Sequence, residues 1–205
     1  MLYDLTIQEN NGMISKEDIK KILADFSCPL NDDVEDFMRN KAYDFDRTGI
    51  SRTYLIYAIV NKVPHLCGIY SLTPGVIELD ERLSKNERKK ILGTTYPIGK
   101  KVKTYLIGQL SKNYKDNNNR FITGEILLEL AFDRIRKNNK TLPSTVVHID
   151  CKDIDYLNHF YERFGFEYFH TNSSGLRVYL TPTKKIMNAE YKQRNQKEKR
   201  EVTAG

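Results

Sequence analysis

Residues 102–140 read "VKTYLIGQLSKNYKDNNNRFITGEILLELAFDRIRKNNK", and the fold turns on how this stretch divides. "VKTYLIGQLSKN" (102–113), rich in β-branched and aromatic residues, predicts a strand. Gly108 inside it marks a bulge or a close backbone approach. "YKDNNNRFITG" (114–124) is a polar loop. It leads directly into a strongly apolar helix from Gly124, with Ile126, Leu127, Leu130, Ala131 and Ile135 facing inward and Arg136 and Lys137 near its C-terminus. A strand that passes through a polar loop into a helix N-terminus presents unpaired backbone N–H groups and the positive end of a helix dipole, which suit a pyrophosphate. An ordinary strand-to-helix turn uses the same elements, so spacing alone leaves both readings open.

Working outward, "LYDLTI" (2–7) alternates as a first strand. "SKEDIKKILADF" follows as a helix with Ser15 as N-cap and Asp18 three residues on. "NDDVEDFMRNKAYDF" (31–45) is a second helix, with Val34, Phe37, Met38, Ala42 and Phe45 at helical spacing. "SRTYLIYAIV" (51–60) and "HLCGIYSLTPGVIEL" (65–79) read as antiparallel strands around a Lys62-Val63-Pro64 turn. "SKNERKKIL" (84–92) is a short helix. "STVVHID" (144–150) is a continuous buried strand, and "DIDYLNHFYERFG" (153–165) is a helix capped by Asp153 or a neighbour and closed by Gly165. "FEYFH" and "LRVYLTP", joined by "TNSSG", form a final hairpin. This order implies a mixed α/β (α+β) domain, one twisted mixed sheet with helices on both faces.

At 205 residues the chain suits one domain, or one domain with an arm, and 40% hydrophobic content argues against disorder. No run approaches the roughly 20 apolar residues of a membrane span, and the N-terminus lacks a signal peptide's order, so a soluble, cytoplasmic protein is expected. Cys28, Cys67 and Cys151 lie far apart and the four histidines lack ligand spacing, so neither a disulfide scaffold nor a metal site is expected. "DFDRTG" (44–49) imitates a calcium loop, but Leu55 stands where a bidentate glutamate is needed. The formal charge of +6 is uneven. Residues 81–103 hold eight bases against Glu81 and Glu87, a net +6, and residues 184–201 hold seven bases against three acids, a net +4. The remainder is therefore −4. Two basic segments on a mildly acidic body suit a polyanion, although a solvated loop and tail fit the same counts.

The second informative stretch is "FYERFGF" (160–166), which matches the FYxxxGF hallmark of the GNAT N-acetyltransferases at the right distance downstream. The loop before Gly124 resembles their acetyl-CoA pattern Q/R-x-x-G-x-G/A. Gly124 takes the final glycine position, Ile122 the earlier glycine and Asn119 the initial Gln/Arg, so two of three positions depart from it. "FSCPLNDDVEDFMRNKAYDFDRTGISRTYL", "GIYSLTPGVIEL" and "YLIGQLSKN" are similar in order and spacing to TacT-like toxins of that family. Gln109 stands where those have Arg, and Ile154 where the family often has an asparagine.

The resemblance, over roughly residues 25–182, implies a GNAT-like domain over 1–182, with 183–205 a basic extension, flexible or helical. It implies transfer of an acetyl group from acetyl-CoA, as co-substrate, directly to a primary amine. Tyr161 would protonate the departing thiolate. Leu110, Ser111 and Lys112 would line the thioester and pantetheine through their backbones, and the loop Asn119, Arg120, Phe121, Ile122, Thr123 and Gly124 would hold the pyrophosphate. The implied acceptor is the α-amino group of an aminoacyl-tRNA, docked through segments 81–103 and 184–200, with an antitoxin protein and a homodimer as further associations. The central strand offers no general base, which mildly favours an α-amine, whose reference pKa near 8 leaves it often neutral. An acetyltransferase for a protein or small-molecule amine, and a non-catalytic GNAT-fold binding module, are the alternative readings.

Overall fold

The computed structural model describes residues 2–4, 14–94 and 99–188. Residues 5–7 of the first strand, 95–98 of the basic stretch and 189–205 of the extension lie outside the described residues. The elements are β1 (Leu2–Asp4), α1 (Lys16–Ala24), α2 (Asp32–Asn40), α3 (Ala42–Arg47), β2 (Arg52–Val60), β3 (Val63–Glu78), α4 (Lys85–Leu92), β4 (Lys101–Lys112), a 3-10 segment (Lys115–Phe121), α5 (Gly124–Asn139), β5 (Val146–Cys151), α6 (Asp155–Arg163), β6 (Glu167–Thr171) and β7 (Arg177–Pro182). Residues 183–188 are helical and form α7. The strands hydrogen-bond in the order β1-β2-β3-β4-β5-β7-β6. The β4–β5 ladder is parallel, and β1–β2, β2–β3, β5–β7 and β6–β7 are antiparallel, so the sheet is mixed as the sequence order implies. No helix among the described residues is long and apolar enough to cross a membrane.

Local chemistry sets the element ends. Ser15 Oγ accepts the Asp18 N–H at 3.1 Å and caps α1. The single helix expected over 31–45 is two: Lys41, at φ −128° and ψ −35°, ends α2 and starts α3. The break lets Phe37 and Met38 on one side and Ala42 and Tyr43 on the other enter one core. The hairpin turn sits at Asn61 (φ 50°) and Lys62 (φ 67°), with Val60 opposite Val63. Positive φ at both central residues is the two-residue turn whose twist matches paired strands. Pro64 is therefore not a turn residue; it pairs with Ile59 inside β3. Asp153 does not cap α6. Ile154 occupies the N-cap with extended dihedrals and no side-chain bond, while the Asp153 carboxylate takes Asn158 Nδ2 at 2.9 Å and Arg177 Nε at 2.9 Å.

The chain forms two compact units: residues 1–73 with 107–133, and residues 74–106 with 134–205. In the first, Ile19, Leu23, Phe26, Val34, Phe37 and Met38 pack on Leu55 and Ile69 of one sheet face. The other face meets α5, where the Tyr70 hydroxyl donates to the Leu130 carbonyl at 3.3 Å. In the second, Leu92 of α4 packs with Val102, Val146, Val178 and Leu180. Tyr179, adjacent to Val178 and Leu180 on β7, points to the opposite face and meets α6 through Tyr161. Helices thus cover both faces of each unit's strands, and each such side chain contributes about 1.5–3 kcal/mol by leaving water.

Two details of α5 and β3 differ from expectation. Ile126 is 52% exposed, and the buried stripe is Leu127, Leu128, Ala131, Phe132 and Ile135. The bulge lies not at Gly108 but in β3, where Ile56 pairs with Gly68 and Tyr57 with Leu66, leaving Cys67 as the extra residue. The close approach is beside it: a Cβ on Gly68 would lie 2.8 Å from Leu127 Cδ2 and 3.0 Å from the Ser111 carbonyl oxygen. At Gly108 a Cβ would meet Ser71 Oγ at 3.2 Å.

Candidate active site

In the first unit, β4 ends in a polar knot around Asn113, which is 2% exposed. Its Nδ2 donates to the Leu66 carbonyl at 2.9 Å, and its Oδ1 accepts the N–H groups of Ser27 and Lys115, each at 3.1 Å. Its own N–H donates to the Cys67 carbonyl at 2.9 Å, and the next N–H, of Tyr114, donates to the Ser27 carbonyl at 2.8 Å. One side chain therefore joins β3, the α1–α2 loop and the first residue of the 3-10 segment. Ser111 is buried, its Oγ 3.2 Å from Cys28 Sγ and 3.0 Å from the Lys112 carbonyl oxygen. That hydroxyl is occupied inside the protein, so Ser111 has only its backbone to offer a ligand. Cys28 is itself held through its N–H, 2.8 Å from Glu35 Oε1, and this bond helps keep the Glu35 carboxyl below its ordinary pKa.

The loop that follows is ordered by side chains suited to its backbone. Asp116 (φ 52°, ψ 31°) and Asn117 (φ 57°, ψ 26°) are left-handed, a conformation these two residue types tolerate. Asn118 is buried, with Oδ1 3.2 Å from His65 Nδ1, and the His65 ring packs on Phe121 at 5.1 Å. The Arg120 guanidinium lies 4.7 Å from the Phe121 ring centroid and is exposed. Asn119 is half-buried. Ile122, matched to a glycine position, is extended at φ −146° and 5% exposed. Its side chain serves the core, and nothing in its backbone demands glycine. Thr123 caps α5, with Oγ1 accepting the Ile126 N–H at 3.2 Å. An anion at this helix N-terminus would meet first-turn N–H groups near Gly124, with Arg120 exposed close by in sequence. The donor set fits a pyrophosphate.

Tyr161 lies in the second unit, 5% exposed on α6. Its ring packs against Phe160 (5.2 Å), Phe166 (5.8 Å) and Tyr179 (6.2 Å). Burial raises the phenol's pKa well above its ordinary value, and the Cys151 and Tyr156 groups add to the rise. The group is therefore a neutral phenol across the physiological range, the form in which it has a proton to give. Burial likewise pushes the Cys151 thiol up to about 11, so it is no thiolate competitor. Gly165, at φ +81°, ends the helix as its position after Phe164 predicts. Phe160 and Phe166 are buried, and Phe164 is half-buried. The α6 start is tied to β7 by Asp153 and Arg177, whose Nη1 also donates to the Tyr179 hydroxyl at 3.4 Å.

The structure thus gathers Leu110 to Gly124 in one unit and places Tyr161 in the other. Asn113 and the Ser27–Cys28 loop escaped the sequence reading. The local signal was "SKN", indistinguishable from any polar strand end.

No family model and no curated protein matches the sequence. Solved structures do match in fold. A tyrosine-to-phenylalanine mutant of KacT aligns at TM-score 0.62 with 19% identity, over 82% of this chain and 91% of that one. AtaTR bound with acetyl-CoA aligns at 0.63 with 17% identity, over 91% and 95%. AtaT complexed with acetyl-methionyl-tRNAfMet aligns at 0.61 with 18% identity, over 80% and 89%. The chain has the fold of the GNAT-type toxins.

Proposed function

We propose that this protein is an N-acetyltransferase that moves an acetyl group from acetyl-CoA directly to a primary amine, with the α-amino group of an aminoacyl-tRNA as acceptor. The observation that carries the reading is Tyr161: a phenol in FYERFGF, 5% exposed and held neutral by burial, on the helix that follows β5. The toxin fold supports it, and AtaT, which shares that fold, is known in complex with an acetylated methionyl-tRNA.

In this mechanism the amine lone pair attacks the thioester carbon, forming C–N as C–S breaks. The Tyr161 proton passes to the departing sulfur, and the proton lost by the nitrogen goes to solvent. Backbone N–H groups around Leu110 stabilise the oxyanion, the kind of fixed donor that serves where charge develops. Arg120 and the α5 first turn hold the pyrophosphate, with Asn119, Phe121, Ile122 and Thr123 shaping the loop. The chain needs no titrating base if the acceptor is an α-amine, since about half of such groups are neutral near pH 8. An antitoxin partner belongs to the same reading, since the related fold is known bound to the C-terminus of the antitoxin AtaR.

Calorimetry with acetyl-CoA tests the cofactor, and labelled acetyl transfer to charged tRNA, with free lysine peptide as competitor, tests the acceptor. Binding followed by tRNA labelling is expected. No binding at millimolar ligand overturns the enzyme in favour of a non-catalytic module, and labelling of the peptide alone overturns the acceptor.

A further inference from the structure

Aromatic packing holds α6 to the sheet, but burial is non-directional and does not by itself set the helix's angle. α6 is nine residues long, and its N-cap, Ile154, gives it no side-chain bond. Direction comes from a polar circuit at the rim of the packing. Asn158 Nδ2 donates to Asp153 Oδ1 at 2.9 Å, and Arg177 Nε of β7 donates to the same oxygen at 2.9 Å. Arg177 Nη1 donates to the Tyr179 hydroxyl at 3.4 Å, and that hydroxyl donates to Glu162 Oε1 at 3.5 Å. The circuit leaves α6 at Asn158, crosses to β7 and returns to α6 at Glu162. Tyr161 lies between those two positions, its ring centroid 6.2 Å from that of Tyr179.

As a stabiliser this circuit is weak. The side chains of Arg177 and Asp153 are 31% and 56% exposed, so their ion pair has little net worth. The two bonds through Tyr179 are long. Asn158 is buried, and in turning Nδ2 to Asp153 it leaves its buried Oδ1 without a partner among the described residues, which is a cost. Bonds that give so little stability serve orientation. They also tell the two neighbouring phenols apart. The one proton of the Tyr179 hydroxyl is committed to Glu162, whereas the Tyr161 hydroxyl makes no hydrogen bond among the described residues.

We propose that Arg177 and Tyr179 are positioning residues for Tyr161: the circuit they close holds α6 at the angle from which the Tyr161 phenol reaches the departing sulfur. The inference rests on the acid role proposed for Tyr161. Tyr179→Phe deletes the hydroxyl and keeps the ring, and Arg177→Met deletes the charge and keeps the stem. In CoA-release assays with charged tRNA as acceptor, each should lower kcat about tenfold with KM for acetyl-CoA unchanged, since a misplacement of about 1 Å costs up to about 10²-fold. The double variant should lose no more than either single one, because both break the same circuit. In a Tyr161→Phe background neither should lower the residual rate by more than about twofold, the acid they position being gone. An equal loss in both backgrounds marks a merely structural effect and overturns the inference, as does wild-type kcat in Tyr179→Phe and Arg177→Met. A second readout needs no acceptor. In full-length protein labelled with 3-fluorotyrosine, the Tyr161 fluorine signal, assigned by its loss in Tyr161→Phe, should broaden or split in Arg177→Met, and an unchanged signal overturns the circuit's hold on α6. Undiminished turnover in Tyr161→Phe overturns the acid reading and this inference together. Turnover lost in Tyr161→Phe but intact in both circuit variants overturns the inference alone.

Discussion

The loop from Asn113 to Ile122 and the α6 helix are held by opposite means. Around the loop the work is polar and long-range: Asn113 satisfies three backbone groups from Ser27, Leu66 and Lys115, and Asn118 meets His65. Around Tyr161 it is apolar: Phe160, Phe166 and Tyr179 surround a phenol. The difference shows in the sequence. A hydroxyl held in aromatic packing depends on its own residue and its neighbours. A loop held through its backbone depends on the polar knot and leaves more freedom to its own side chains.

That contrast can be broken at either end. Tyr161→Phe removes the proton donor and keeps the packing. It should cut kcat by about 10²–10⁴-fold, with acetyl-CoA affinity and melting temperature unchanged; in cells, wild type should arrest growth and the variant relieve it. Equal turnover would remove Tyr161 from the mechanism. Asn113→Ala should act through the other route. Three part-buried backbone groups lose their partner, a cost of about 2–4 kcal/mol in urea unfolding, and KM for acetyl-CoA should rise while kcat on saturated enzyme changes little. A kcat loss with unaltered KM would show that the knot does not set the cofactor loop. Gly68→Ala should cost less, about 1–3 kcal/mol, because its Cβ meets the flexible end of Leu127 as well as the Ser111 carbonyl.

The order of elements, the helix start at Gly124, the helix end at Gly165 and the place of Tyr161 on α6 were legible because each rests on local chemistry: caps, helical spacing, an aromatic motif. Asn113 was not, because its partners lie 86 and 47 residues away and no local pattern announces them. Gly108 was a reasonable suspect, but both β3 and β4 contain a glycine, and only register decides that Gly68 faces α5. Ile126 misled for a related reason. "ILLELA" offers apolar residues in a run, and the buried face, Leu127 and Leu128, was set by tertiary packing.

The smallest effect belongs to His148, where the apolar logic of the second unit meets one titratable ring. Its Nδ1 lies 2.7 Å from Thr104 Oγ1, and burial lowers its pKa below the ordinary 6.5, with Asp150 opposing the shift only in part. The folded state therefore keeps the ring neutral while the unfolded chain takes a proton first as pH falls. More protons on the unfolded chain mean that stability rises with pH in that window. The contribution is complete above about 6.5 and is lost as pH drops toward the folded pKa. Urea midpoints measured at pH 7.5 and 5.5 should differ in that sense for wild type. The difference should shrink in His148→Gln, which keeps a polar partner for Thr104 without a titrating group. An equal pH response in both proteins would move the acid sensitivity elsewhere and leave His148 a purely structural bond to Thr104.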